Sequence, residues 1–336
     1  MPSSNVLFFS LAILIITLSP IPKFSSASLM EANALLQWKA SLKIQNNSFL
    51  SSWIPLPMNS SASLPCTSWF GVVCNADGSI HKLNISSLGL KGTLHQFSFS
   101  LLHNLTHFDL YENNFFGPIP PEIQLLSKLV YLDLSSNKFS GVIPPEIVML
   151  ASLEFLDVSF NNLTGSIPQE IGRLASVYYL GLVYNLLQGE LPPTMGNLTN
   201  LSYLYLHNNN LCGPIPPNLG NLKSLTCLGM MNNHFSGSIP SSLANLSNLQ
   251  YMYLNENKLS GQIPTDIGDL KCLTNLQVSR NQLGGFIPSS LANVSNLQHM
   301  YLSENKFSGH IPSDLGNLKS LHGIEATRNQ LSGFIP

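Results

Sequence analysis

The sequence predicts an α/β repeat. Its form is a right-handed solenoid, with a parallel β-sheet along the concave face and short helical or 3-10 turns outside. Three observations predict it. Leu or Val recurs at 105, 129, 153, 177, 201, 225, 249, 273, 297 and 321, always 24 residues apart. Inside each copy, x-Leu-x-Leu-x alternates with period 2, the mark of a short strand with one buried face. Asn (113 onward to 329), Gly (117 to 333) and Pro (120 to 336) then hold unbroken columns at the same spacing. Self-similarity at a fixed period is the signature of stacked supersecondary units.

Each part of the unit L-x-x-L-x-L-x-x-N-x-L-x-G-x-I-P-x-x-L-G-x-L-x-x has a mechanical reason. Stacked x-Leu-x-Leu-x segments build the sheet, about 4.8 Å per coil. Asn at position 9 sits where the strand turns away. Its amide both donates and accepts, so the column becomes a ladder between neighbouring turns. Gly at position 13 allows a backbone angle that a side chain resists. Pro at position 16 fixes φ and stops any helix there. The remainder, as in Ser241–Leu246, is long enough for one helical or 3-10 turn. No single copy buries its apolar face alone, so stability comes from stacking.

The 336 residues carry a net charge of −2, and only 10% are charged. Average domains hold about 25%. The near-zero charge excludes a nucleic-acid binder, which needs a basic patch. Val6–Leu18 is an apolar run followed by the small residues Ser25, Ser26 and Ala27, and reads as a secretory signal peptide over 1–27. No later stretch is apolar for long enough to span a bilayer. In a secreted chain, nine N-x-Ser/Thr sequons become glycan candidates: Asn46, Asn59, Asn84, Asn104, Asn162, Asn197, Asn200, Asn245 and Asn293.

These residues resemble the plant extracellular leucine-rich repeat family, whose plant-specific half is L-x-G-x-I-P. Three further segments look like the family's N-terminal cap: Glu31–Lys39, Ser51–Trp53 and Cys66–Cys74 (CTSWFGVVC). That gives a cap over 28–79 and a solenoid over 80–336, about eleven coils with an irregular first one. Ala34, Leu35, Trp38 and Leu42 share a helical stripe. In a secreted cap, Cys66 and Cys74 are the best disulfide pair. Cys212, Cys227 and Cys272 occupy non-adjacent columns and read as small hydrophobes. Within the family, the resemblance points to ectodomains of receptor-like kinases of the MDIS-interacting receptor kinase-like group. It implies an extracellular peptide or protein ligand, and a leucine-rich repeat kinase as possible co-receptor. No kinase motif, catalytic nucleophile, metal-ligand spacing or cofactor site stands in the sequence. The tenth regular copy reaches only position 16 at Pro336, without a C-terminal cap. We therefore expect a truncated product whose Leu321, Ile324, Leu331 and Ile335 are uncovered. Two rivals to the receptor reading are a secreted inhibitor similar to the polygalacturonase-inhibiting proteins and a non-functional truncated paralogue.

Positions 3, 5, 7 and 8 face the concavity and need not pack. Position 3 carries Tyr131, Phe155, Tyr179, Tyr203, Cys227 and Tyr251, and position 5 carries Tyr205, Tyr253 and Tyr301. Tyr179, Tyr203, Tyr205, Tyr251, Tyr253 and Tyr301 are the candidate aromatic strip, with His207 and His299 beside it. Exposed aromatics on a rigid surface serve as contact anchors, although the same rings would also brace the sheet by cross-strand stacking. Asp109, Asp133 and Asp157 at position 5 read as the ordinary filler of that column. Arg280 and Arg328 are candidate carboxylate contacts. They recur because residues 241–288 and 289–336 are a duplication, identical at 32 of 48 positions.

Overall fold

Strand follows strand at one register through the whole repeat array. The computed structural model describes residues 26–43, 49–55 and 64–334. The expected leader falls outside these apart from Ser26 and Ala27, as do Asn46, Asn59 and Ile335. We number the regular coils 1 to 10 from Leu105, Leu129, Leu153, Val177, Leu201, Leu225, Leu249, Leu273, Leu297 and Leu321.

The concave sheet has 12 strands. Its first two, Val72–Cys74 and Ile80–Asn84, pair antiparallel, and every later neighbour is parallel. Like residues stand opposite one another. Tyr179 faces Tyr203, Leu180 faces Leu204 and Gly181 faces Tyr205. The middle residue of each strand points into the core. Leu132, Leu180, Leu204, Leu228 and Met252 are fully buried, each contributing about 1.5–3 kcal/mol through burial. Outside, each coil closes with a 3-10 turn such as Pro193–Asn197 or Ser241–Asn245, entered from the column of prolines.

The Asn column is the ladder that its position predicts. Asn137 Nδ2 donates to the carbonyls of Leu110 in the previous coil (2.9 Å), Leu134 and Ser135, and Asn137 Oδ1 accepts the N–H of Phe115. Every regular coil repeats this pattern, so the backbone polar groups at the turn are satisfied inside the stack.

Two features depart from the sequence reading. The L-x-G-x-I-P half is not a plain turn. It adds flanking parallel sheets of seven and four short strands, because these extended backbones also lie at coil spacing. Gly at position 13 kinks each strand at φ of 74° to 83°. Position 8, just before the ladder Asn, is left-handed in every regular coil whatever its residue type, from Glu112 to Arg328.

The N-terminal helix α1 (Ser26–Ser41) closes one end of the core. Ala34, Leu35, Trp38 and Leu42 are buried as the stripe requires. Trp38 packs on Phe97 and Phe115, and its Nε1–H donates to the Thr93 carbonyl. Trp53 stacks on Trp69 at 5.4 Å. Cys66 and Cys74 form a disulfide with Cα atoms 5.3 Å apart. At the far end, Leu321, Ile324 and Leu331 are partly or well exposed around an apolar recess. No helix among the described residues is long and apolar enough to cross a membrane.

Candidate functional site

The sheet register sets the concave face. Because strands superpose residue for residue, position 3 becomes a single file of side chains. His107, Tyr131, Phe155 and Tyr179 stack down it. The centroid distances are 5.8 Å, then 4.4 Å, then 4.4 Å, with planes within 17° of parallel. At coil 5 a second tyrosine enters at position 5, and the file spreads sideways. Tyr179 meets Tyr203 at 6.2 Å and Tyr205 edge-on at 5.6 Å. Tyr205 meets His207 edge-on, His207 meets Tyr184, and Tyr184 stacks on Phe160. One connected network of rings thus covers coils 1 to 5.

This corrects the expected strip. Tyr251 and Tyr253 form a separate pair, and His299 with Tyr301 and His322 a separate group. Two coils break the line. Coil 6 places Cys227 and Gly229 opposite Tyr203 and Tyr205, and coil 8 places Asn275 and Gln277 opposite Tyr251 and Tyr253. The room left by coil 6 is already taken. A side chain at Gly229 would meet the Tyr205 and His207 rings at 3.1 and 3.3 Å. Cys227 is only 4% exposed. Tyr203 (37%) and Tyr251 (38%) are the most exposed of the expected tyrosines. Among aromatics missed at the sequence level, Phe160 (52%) and Tyr184 (50%) at position 8 are more exposed still. Their signal was an aromatic pair in a column otherwise filled by polar residues.

Electrostatics follow burial. Asp109, Asp133 and Asp157 stand in register on adjacent strands. Burial, with Asp133 adding to it, pushes the Asp157 carboxyl up to about 6, against hydrogen bonds from Ser159 and Tyr179 that favour the ionised form. Burial likewise raises Tyr131, Tyr179, Tyr205 and Tyr253 and the Cys227 thiol. It lowers His207, whose Nδ1 is buried without a partner.

Arg280 and Arg328 are exposed, and both stand within an ion-pair row. Arg280 bridges Glu256 (3.2 Å) and Glu304 (3.3 Å), and Arg328 reaches Glu304 at 3.3 Å. Position 8 alternates in sign over coils 7 to 10, so Arg280 lies between two carboxylates and Arg328 beside one. Beside them lies a polar recess of about 330 Å³.

Cys212, Cys227 and Cys272 carry no disulfide. Among the described sequons, Asn197, Asn245 and Asn293 end exposed 3-10 turns, and Asn162 is exposed on the flanking sheet. Asn200, though exposed, donates to the Ala175 carbonyl. Asn84 donates to Asp109, and Asn104 accepts from Lys128. No group of three or more His, Cys, Asp or Glu among the described residues forms a metal site.

Comparison with known proteins points one way. Residues 28–75 match the family model of the leucine rich repeat N-terminal domain. Residues 223–283 match a leucine rich repeat model, and 104–126, 128–150, 152–174, 200–222 and 296–318 match a further one. The chain is similar to MDIS1-interacting receptor like kinase 2 of Arabidopsis thaliana, 48% identical over 97 residues, or 29% of the chain but 9% of that relative's length. The kinase relatives are matched only in their repeat regions. Among solved structures it is similar to the ectodomain of the Arabidopsis thaliana receptor kinase GASSHO1/SCHENGEN3, in complex with CASPARIAN STRIP INTEGRITY FACTOR 2. The TM-score is 0.84 at 35% identity, covering 91% of the chain and 36% of that one. A plant ice-binding protein aligns over 90% of the chain and 95% of its own length, with a TM-score of 0.71 and 29% identity.

Proposed function

The chain belongs to the leucine-rich repeat family, and from that premise we propose that it is an extracellular recognition module of the plant receptor-ectodomain kind. It binds a peptide or protein ligand through its concave face. The observation that carries this is the connected ring network of coils 1 to 5. Its rings sit on a backbone held rigid by the Asn ladder, and Tyr203, Tyr184 and Phe160 present open aromatic surface. Rigid, half-exposed aromatics give large contact area at low entropic cost. The likeness to an ectodomain solved with its ligand, and to a receptor like kinase, supports the same reading. The site belongs on the outside of the cell, where the sequons carry glycans and the cap disulfide persists. A repeat kinase as co-receptor is the second partner that the receptor reading brings.

The test pans the purified chain against a display pool of short linear peptides and, separately, assays it against a fungal polygalacturonase. The receptor reading expects peptides that compete with one another for one face. Inhibition of the polygalacturonase with no peptide selected contradicts it and favours the inhibitor class.

A further inference from the structure

Phe160 and Tyr184 are the two aromatic residues in a column otherwise filled by Glu, Ser, Asn and Arg. Both occupy position 8, where the backbone is left-handed at φ of 55° and 51°. A bulky L-residue there costs about 1–2 kcal/mol relative to glycine, and Asn accepts it with least strain. The column uses Asn at 208 and 232, Ser at 136, Glu at 112, 256 and 304, and Arg at 280 and 328. Yet coils 3 and 4 place aromatic rings there, half exposed, stacked on each other at 4.8 Å and 22°. Their stacking offsets part of the strain, and open aromatic surface on a rigid backbone is what a contact anchor offers.

We propose that Phe160 and Tyr184 form a shelf that receives an uncharged apolar side chain, of the leucine, proline or phenylalanine class, from an extended peptide lying on the concave face. This rests on the peptide-recognition reading and adds a subsite to it. Three observations choose the occupant. The shelf continues into the concave network, since Tyr184 touches His207 edge-on and His207 touches Tyr205. Leu186, two residues along the chain from Tyr184, is also an exposed apolar side chain. From Ser136 to Asn232 the column holds no charge, whereas from Glu256 to Arg328 it alternates in sign. Around coils 3 and 4 this column therefore offers a charged side chain no ionic partner, and suits an apolar one.

The experiment takes peptides selected on the wild-type chain from a pool of short linear peptides. Their affinity is measured for the double variant Phe160→Asn/Tyr184→Asn and for Tyr205→Ala, alongside thermal unfolding of each. The shelf predicts that the double variant melts at or above the wild type, since Asn suits the left-handed backbone, while peptide affinity falls about tenfold, a loss of about 1.4 kcal/mol. Phe160→Tyr should retain affinity. A double variant that melts well below the wild type shows that the rings serve the fold and overturns the proposal. Unchanged affinity overturns it too. Peptides that weaken on Tyr205→Ala but not on the double variant overturn the shelf and leave concave recognition standing. A pool that yields no binder to the wild type counts against both.

Discussion

The ring of Tyr179 lies face to face on that of Phe155, with centroids 4.4 Å apart and planes 13° from parallel. One coil later the relation changes, and Tyr203 tilts by 45° at 6.2 Å. Stacking that braces the sheet therefore gives way to rings that are freer to meet a partner.

The stacked side should cost stability when cut. Phe155→Ala removes contacts to Tyr131 and Tyr179 at once. We expect a loss of about 1–2 kcal/mol. Tyr251→Ala, which touches only Tyr253 among the rings, should stay within about 0.5 kcal/mol. Urea unfolding of the two variants compares them directly.

Asp157 should make stability depend on pH in the acidic range. Its folded carboxyl titrates near 6 against an ordinary value of 3.8. Between those values the folded state holds the proton and the unfolded state does not, so stability falls as pH rises from about 4 to about 6. The full span is of order 2–3 kcal/mol. Asp157→Asn keeps an Oδ1 acceptor for Ser159 and should flatten this part of the profile. A melting-temperature series from pH 4 to pH 7 that slopes equally for both proteins would show that Asp157 titrates elsewhere.

The Asn ladder should be the least tolerant column. Asn209 Nδ2 donates to Leu182 and Leu206, and its Oδ1 accepts from the N–H of Leu187 in the preceding coil. Asn209→Ala leaves those buried backbone groups unpaired, at about 1–3 kcal/mol each where water cannot enter. We expect hydrogen-exchange protection to drop in the coils either side of 209, with little change in the cap. A global, even loss of protection would contradict a nearest-neighbour stack.

The cap disulfide closes a loop with a sequence separation of 8, which is worth about 2–3 kcal/mol through the unfolded chain. Cys66→Ser/Cys74→Ser should loosen the cap first. Limited proteolysis should then cut within residues 64–84 while coils 3 to 8 stay intact.

Much of this architecture was legible because it repeats. Ten copies of Asn at position 9 announce a ladder, and the stripe of Ala34, Leu35, Trp38 and Leu42 announces a buried helix face. The flanking sheets were not legible. Their strands, such as Asn210–Pro214, show no period-2 burial and exist because stacked backbones lie within hydrogen-bonding distance. The left-handed position 8 was hidden for a related reason. Ser, Glu, Phe, Tyr, Asn and Arg share no chemistry there, since the turn geometry rather than the side chain sets φ. Exposure of the tyrosines depended on neighbours. Tyr205 is partly covered because Gly229 opposite it is small and lets its ring lean across, a relation between strands that no single strand shows. The ion pairs of Arg280 were hidden in the same way, because its partners lie one coil to either side.

The central claim is that the ring network of coils 1 to 5 is the recognition surface. The affinity of a peptide selected on the wild-type chain, measured for Tyr203→Ala/Tyr205→Ala and for Tyr301→Ala, tests it most directly. The account predicts a loss of about tenfold or more in the first and less than about twofold in the second. Equal binding to the first variant and the wild type, with both folded, would contradict it.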